Sequence, residues 1–125
     1  VMAWNTSVVA PPEGRMADYL RSLELLLELD AKQLLPGHGG VINEPRRTVK
    51  AYLLHRKWRE QAILDAVRKG TNTVRALLPV IYRDLDKAVV GAATLSLRAH
   101  VDHLAERGLI VCADSSNVDC VAVPL

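Results

Sequence analysis

Leu34-Leu35-Pro36-Gly37-His38-Gly39-Gly40 can be neither the interior of a helix nor the middle of a sheet ladder. Proline removes a backbone donor, and the glycines on both sides of one histidine free the chain to turn sharply. An apolar run therefore ends here, and the His38 imidazole stands alone with space around it. A histidine presented at the end of a strand in this way is a candidate metal ligand, set against the ordinary reading of a polar residue in a turn. A metal centre needs roughly three or four ligands, and His38 is the one convincing ligand in this chain. The expectation is a corner of a centre completed by residues outside these 125, with the chain forming the C-terminal part of something larger.

The rest of the chain reads as helices with a little strand. Ser7 to Ala10 is a candidate short strand that Pro11-Pro12-Glu13-Gly14 ends. Met16, Tyr19, Leu20, Leu23, Leu26 and Leu27 recur at helical spacing and predict a helix over about 15–29. Lys32 to Leu35 reads as a short buried strand before the glycine turn. Glu44-Pro45 opens a long helix reaching about Lys69, with Gly70 as its stop. Its first half is basic (Arg46, Arg47, Lys50, Arg56, Lys57, Arg59). Its apolar stripe strengthens toward the C-terminus, as if one end belonged to a second core.

Thr71-Asn72-Thr73 offers an N-cap for a helix carrying Val74, Leu77, Leu78 and Ile81, which Pro79 is expected to kink or end. Arg83 to Asp86 is a loop. Ala88 to Arg107 is a third helix capped by Gly108. Two strands follow, Leu109 to Ala113 and Val118 to Val123, about the polar turn Asp114-Asn117. Three helices and then a hairpin is the order of a winged helix. An even hairpin loop pairs Cys112 with Asp119 and sets Cys112 and Cys120 on opposite faces, as reduced thiols; a three-residue loop would make them face each other. With Phe absent and half the residues apolar, the core must be Leu, Val and Ala. A net charge of +2 demands no polyanionic partner, and no apolar run approaches the roughly 20 residues of a membrane span. A cytoplasmic protein is expected, with no signal segment at Val1-Met2-Ala3-Trp4.

Four segments taken together carry a family likeness: Asn5-Thr6-Ser7-Val8-Val9, Gly14 to Leu23, Leu35 to Gly40, and His55-Arg56 with Arg59-Glu60. In their order and spacing they resemble the metallo-β-lactamase-fold hydrolases of the glyoxalase-II-like branch that end in a winged helix. The resemblance implies a mainly α chain with small β content (α+β): the C-terminal edge of an αββα fold, then a winged-helix domain. Residues 1–45 would be the remnant of the catalytic domain, 46–60 the linker part of the long helix, and 61–125 the winged-helix-like domain. It implies that His38 is the last ligand of a centre of two ions, usually zinc. The family's His-x-His-x-Asp-His motif and bridging aspartate are absent from this chain, so no catalytic residue is assigned, and the isolated chain is expected to be inactive and metal-free. Substrates implied for the intact protein are small acyl esters or thioesters, and RNA in some members.

Other residues admit two readings. Asn5, Thr6 and Ser7 could line a substrate pocket beside the metals, or simply start a strand. His55, Arg56 and Arg59 lie on adjoining helix surface and could bind a substrate phosphate or carboxylate; the ordinary reading is a linker helix salt-bridged to Glu60. His100 and His103, one turn apart, read as a solvated face. A DNA reading of the third helix is disfavoured, because Ala88 to Leu95 lacks the side chains that reach bases and phosphates. That segment suits docking on its own catalytic domain or a partner subunit, including a homodimer. A nucleic-acid-binding module, with RNA contacted by Arg46 to Arg59, is the second functional class.

Overall fold

A computed structural model describes residues 1–3, 5–112 and the backbone of 122–124. Its order is α1 (Met16–Glu28), α2 (Pro45–Arg68), α3 (Val74–Ile81), a 3₁₀ turn (Lys87–Val89), α4 (Val90–Glu106), β1 (Ile110–Cys112) and β2 (Ala122–Pro124). The expected helices form within a residue or two of where periodicity sets them.

The turn that feeds α1 depends on one glycine. Gly14 N donates to Ala10 O at 2.8 Å, and a Cβ on Gly14 would lie 2.8 Å from Ala10 N and 3.0 Å from Ala10 O. Only a residue without a side chain lets the backbone approach itself so closely. Met16 and Leu23 are then buried on the inner face of α1, each 1% exposed.

The proline of α3 falls two residues before the end of its helix. Pro79 sits inside the helix, which continues to Ile81, and Tyr82 N still bonds Leu78 O at 2.9 Å. Proline forfeits one ladder bond, while Val74 and Leu77, both 0% exposed, anchor the helix through apolar burial. Thr73 caps its start, accepting from Ala76 N at 3.1 Å.

The expected strands near the N-terminus are reduced. Ser7 to Ala10 forms none, and Lys32 to Leu35 contributes only a bridge between Leu34 and Ile42, with both N–H···O bonds at 3.0 Å. A strand needs a neighbour to satisfy its backbone, and no further one faces Leu34 among the described residues. β1 and β2 pair antiparallel with Cys112 opposite Ala122, so an odd number of residues, 113–121, separates the paired positions. The expected pairing of Cys112 with Asp119 across an even loop is therefore corrected, and so is the reduced thiol, since Cys112 is disulfide-bonded. Cys120, Asp119 and the turn expected at Asp114-Asn117 lie outside the described residues.

The main apolar core joins Ile63, Ala66 and Val67 of α2, Val74 and Leu77 of α3, Leu97, Val101 and Leu104 of α4, and Ile110 of β1. A smaller cluster joins Val9, Met16 and Ala99, with Tyr19 and Leu20 against it. Helix α4 thus has one side in each cluster, and every residue from Ser96 to Val101 is buried. No helix among the described residues is long and apolar enough to cross a membrane.

Candidate functional site

Tyr52, Arg56 and Glu60 fall four residues apart on α2 and so share one face. That face meets the N-terminal segment at one end and α4 at the other; Arg56 Nε and Glu60 Oε1 are buried there without a hydrogen-bond partner among the described residues. Tyr52 Oη donates to Met2 O at 2.5 Å. Arg56 Nη2 donates to Ser7 O, while its Nη1 lies 3.3 Å from His100 Nε2 and its guanidinium stacks 5.0 Å from the Tyr19 ring centroid. Glu60 Oε2 accepts from Arg107 Nη1 at 3.0 Å, and its Oε1 lies 3.6 Å from both His100 Nδ1 and His103 Nε2.

Arginine has only donors, so the His100 nitrogen facing it must carry the lone pair. The proton then sits on Nδ1, the nitrogen that faces the Glu60 carboxylate. His100 is 0% exposed, and burial pulls its pKa below the usual histidine value. A neutral imidazole is also the form that Arg56 requires. Burial alone would raise the Glu60 carboxyl. The facing His100 N–H, with His103 and the Arg107 guanidinium beside it, outweighs burial and leaves Glu60 below the usual range.

The other sequence candidates distribute around this spine. His38 is exposed in its loop, whose backbone turns through Gly39 at φ 91°. Ala3 N donates to His38 O at 3.1 Å, which ties the loop to the same segment that carries Asn5, Thr6 and Ser7. Asn5 Oδ1 accepts from Thr6 N at 2.8 Å, a local turn. His55 is half-buried, with Nε2 3.3 Å from Arg59 Nη2; burial, then Arg59 and Arg56, lower its pKa. Arg59 donates to Ile81 O at 2.8 Å and stacks 4.2 Å from the Tyr82 ring centroid, fastening α2 to the end of α3.

Two expectations are corrected here. Arg56 is 2% exposed and turned inward, so His55, Arg56 and Arg59 do not share an open surface. Glu60 pairs with Arg107 rather than with those arginines, because its face of α2 points to α4. His100 and His103 are not a solvated face: α4 is packed on both sides, and the side chain of His103 is only 14% exposed. The signal that could have found them is the four-residue spacing of Tyr52, Arg56 and Glu60 set against a histidine pair on a helix full of small residues.

His38 alone does not make a metal site. No group of three or more His, Cys, Asp or Glu able to hold an ion occurs among the described residues. The residues present fit one ligand of a centre and no more, so no step through a metal is derived from them.

The β-lactamase-associated winged-helix domain model matches residues 73–117. The chain is 30% identical over 103 residues to a β-lactamase-like protein 2 homologue of Drosophila melanogaster, covering 80% of this chain and 35% of that protein. Against the Caenorhabditis elegans homologue it is 30% identical over 94 residues, covering 74% of this chain and 32% of the other. The chain thus spans about a third of the length of these relatives. A metallo-β-lactamase family protein from Thermus thermophilus superposes with a TM-score of 0.72 at 22% identity, over 88% of this chain and 33% of its own. A β-lactamase domain protein from Burkholderia ambifaria does so with a TM-score of 0.76 at 20% identity, again over 88% and 33%. Residues 73–117 thus carry the β-lactamase-associated winged helix, and with helices, bridge and hairpin arranged as described the chain has the fold of a C-terminal part of metallo-β-lactamase-fold proteins.

Proposed function

We propose that this chain works as the C-terminal part of a metal-dependent hydrolase of small thioesters or esters, and that His38 supplies one ligand to its metal, expected to be zinc. The observation that carries this reading is the bond from Ala3 N to His38 O. It brings the one imidazole in a glycine turn beside the segment bearing Asn5, Thr6 and Ser7, which on this reading lines the substrate side. Bound metal would lower the pKa of a water and polarise the scissile group. The chain's own residues hold the ligand loop and the pocket wall. The test is hydrolysis of thioester and ester panels with added zinc, by the isolated chain and by the full-length gene product. The full-length protein should turn over and lose activity on His38→Ala, whereas the isolated chain should not turn over. A full-length protein inactive on every panel member would sink the reading.

A second reading, RNA binding or cleavage, is favoured by one feature of α2. Trp58 is 67% exposed and Leu54 46% exposed, on a helix whose Arg47, Lys50 and Lys57 are exposed too. Cations beside an exposed indole suit a backbone and a stacked base. Binding of single-stranded RNA that weakens steeply with salt and is lost on Trp58→Ala would support it. DNA is not proposed, since the middle of α4 is buried. Homodimerisation through the exposed Val89, Val90 and Leu95 would be read by light scattering.

A further inference from the structure

We propose that Tyr52 and Arg56 are positioning residues that hold the His38 loop and the Asn5–Ser7 segment against the winged helix, with His100 and Glu60 aiming Arg56 from behind. Met2 to Ser7 is fastened at three backbone groups: Met2 O by Tyr52, Ala3 N by His38 O, and Ser7 O by Arg56. Two of those fasteners come from one face of α2, one turn apart. The third is the link to the candidate ligand loop itself. Neither Tyr52 nor Arg56 reaches His38, so any effect on it passes through the backbone of 2–7.

The direction of Arg56 is set by groups on three elements. Tyr19 of α1 stacks on it, His100 of α4 offers it a lone pair, and Glu60 of α2 faces the opposite nitrogen of that ring. His55, Arg59, Tyr82, His103 and Arg107 are further charged or titratable groups around this cluster. A guanidinium can satisfy Ser7 O and His100 at once because its donors lie in a fixed planar fork. A lysine ammonium at the same place is a point charge without that fork. The winged helix is thereby tied by directional bonds to the segment that presents His38. Its core does not touch that segment through those bonds, which run only along Tyr52, Arg56 and Glu60.

This rests on the hydrolase reading for its catalytic meaning, and the experiment separates the two. Amide hydrogen exchange is measured in the chain for Tyr52→Phe, Arg56→Lys and His100→Gln, alongside melting temperature. Positioning predicts exchange at Ala3, whose amide is bonded to His38 O, accelerated by about tenfold or more in Arg56→Lys. The Leu34 and Ile42 amides of the bridge, and Leu77 and Leu104 in the core, should stay within about twofold of wild type. Tyr52→Phe should accelerate Ala3 too, since it frees Met2 O. Imidazole nitrogen shifts should report His100 protonated on Nδ1. In the full-length enzyme the same variants should lower kcat by about 10- to 100-fold with KM nearly unchanged. Uniform acceleration at all amides, or none at Ala3, overturns the proposal whatever the enzyme does. Selective acceleration with a full-length protein that hydrolyses nothing upholds the clamp and sinks the hydrolase reading instead. Selective acceleration with unchanged kcat removes the positioning role.

Discussion

Leu97, Val101 and Leu104 of α4 face Ile63, Val67, Val74 and Leu77, an apolar core held by burial alone. On the same helix His100, fully buried, and His103 face Arg56, Glu60 and the half-exposed Arg107, a junction held by directed polar contacts. The two sides answer to different physics. Apolar contact is proportional to area and indifferent to direction, so shape may change if volume is kept. The polar side works only in one protonation state and one set of orientations, and each unpaired group there costs its full desolvation.

The contrast can be tested by perturbation, the largest effect first. Leu97→Ala should lower stability by about 3–4 kcal/mol in denaturant unfolding, and Leu97→Met by less than about 1.5 kcal/mol. Equal losses for the two would mean that this side is not a volume-governed core. Glu60→Gln conserves shape but removes the charge facing Arg107 and the histidines, and should cost about 2 kcal/mol. A loss below about 0.5 kcal/mol would show that the junction is wet enough to be indifferent.

Acid should weaken the polar side selectively. His100 is held below its ordinary value of 6.5 by burial, so the unfolded chain takes the proton first. Stability therefore declines as pH falls below about 6.5 and levels off once the folded-state pKa is passed. His55 has the same sign, and Glu60, held below 4.5, extends the loss at lower pH. Asp102, raised from 3.8 chiefly by burial, opposes it in part. Melting temperature should fall from pH 7.5 to pH 5, with a shallower fall in His100→Gln. A flat profile would put the cluster in contact with solvent. The smallest effect is expected from Thr73→Ala, which removes the cap of α3 and should cost about 1 kcal/mol without changing the pH profile. A changed profile would couple the core to the spine.

Much of the fold could be read from local pattern. The stripe Met16, Leu20, Leu23, the proline at the start of α2, and Gly70 and Gly108 after α2 and α4 each follow from local geometry. Helix α3 runs two residues past Pro79, since one lost backbone bond weighs less than the burial of Val74 and Leu77. His100 was misread because a helix packed on both sides shows no polar–apolar contrast. The small residues Ala93, Ser96 and Ala99, all buried on α4, are the trace of that packing. Spacing alone sets Arg56 on the surface, because it gives adjacency on a helix but not the direction in which that face points.

Residue order alone determined which segments coil, where they stop, and that one imidazole stands in a glycine turn, since these depend on neighbours a few positions away. Tertiary structure decided which charged residues are buried, which nitrogen of His100 carries the proton, and that the His38 loop is bonded to Ala3. Those outcomes depend on groups up to 49 residues apart in the chain, as Arg56 and Ser7 are, and only packing brings such groups within bonding distance.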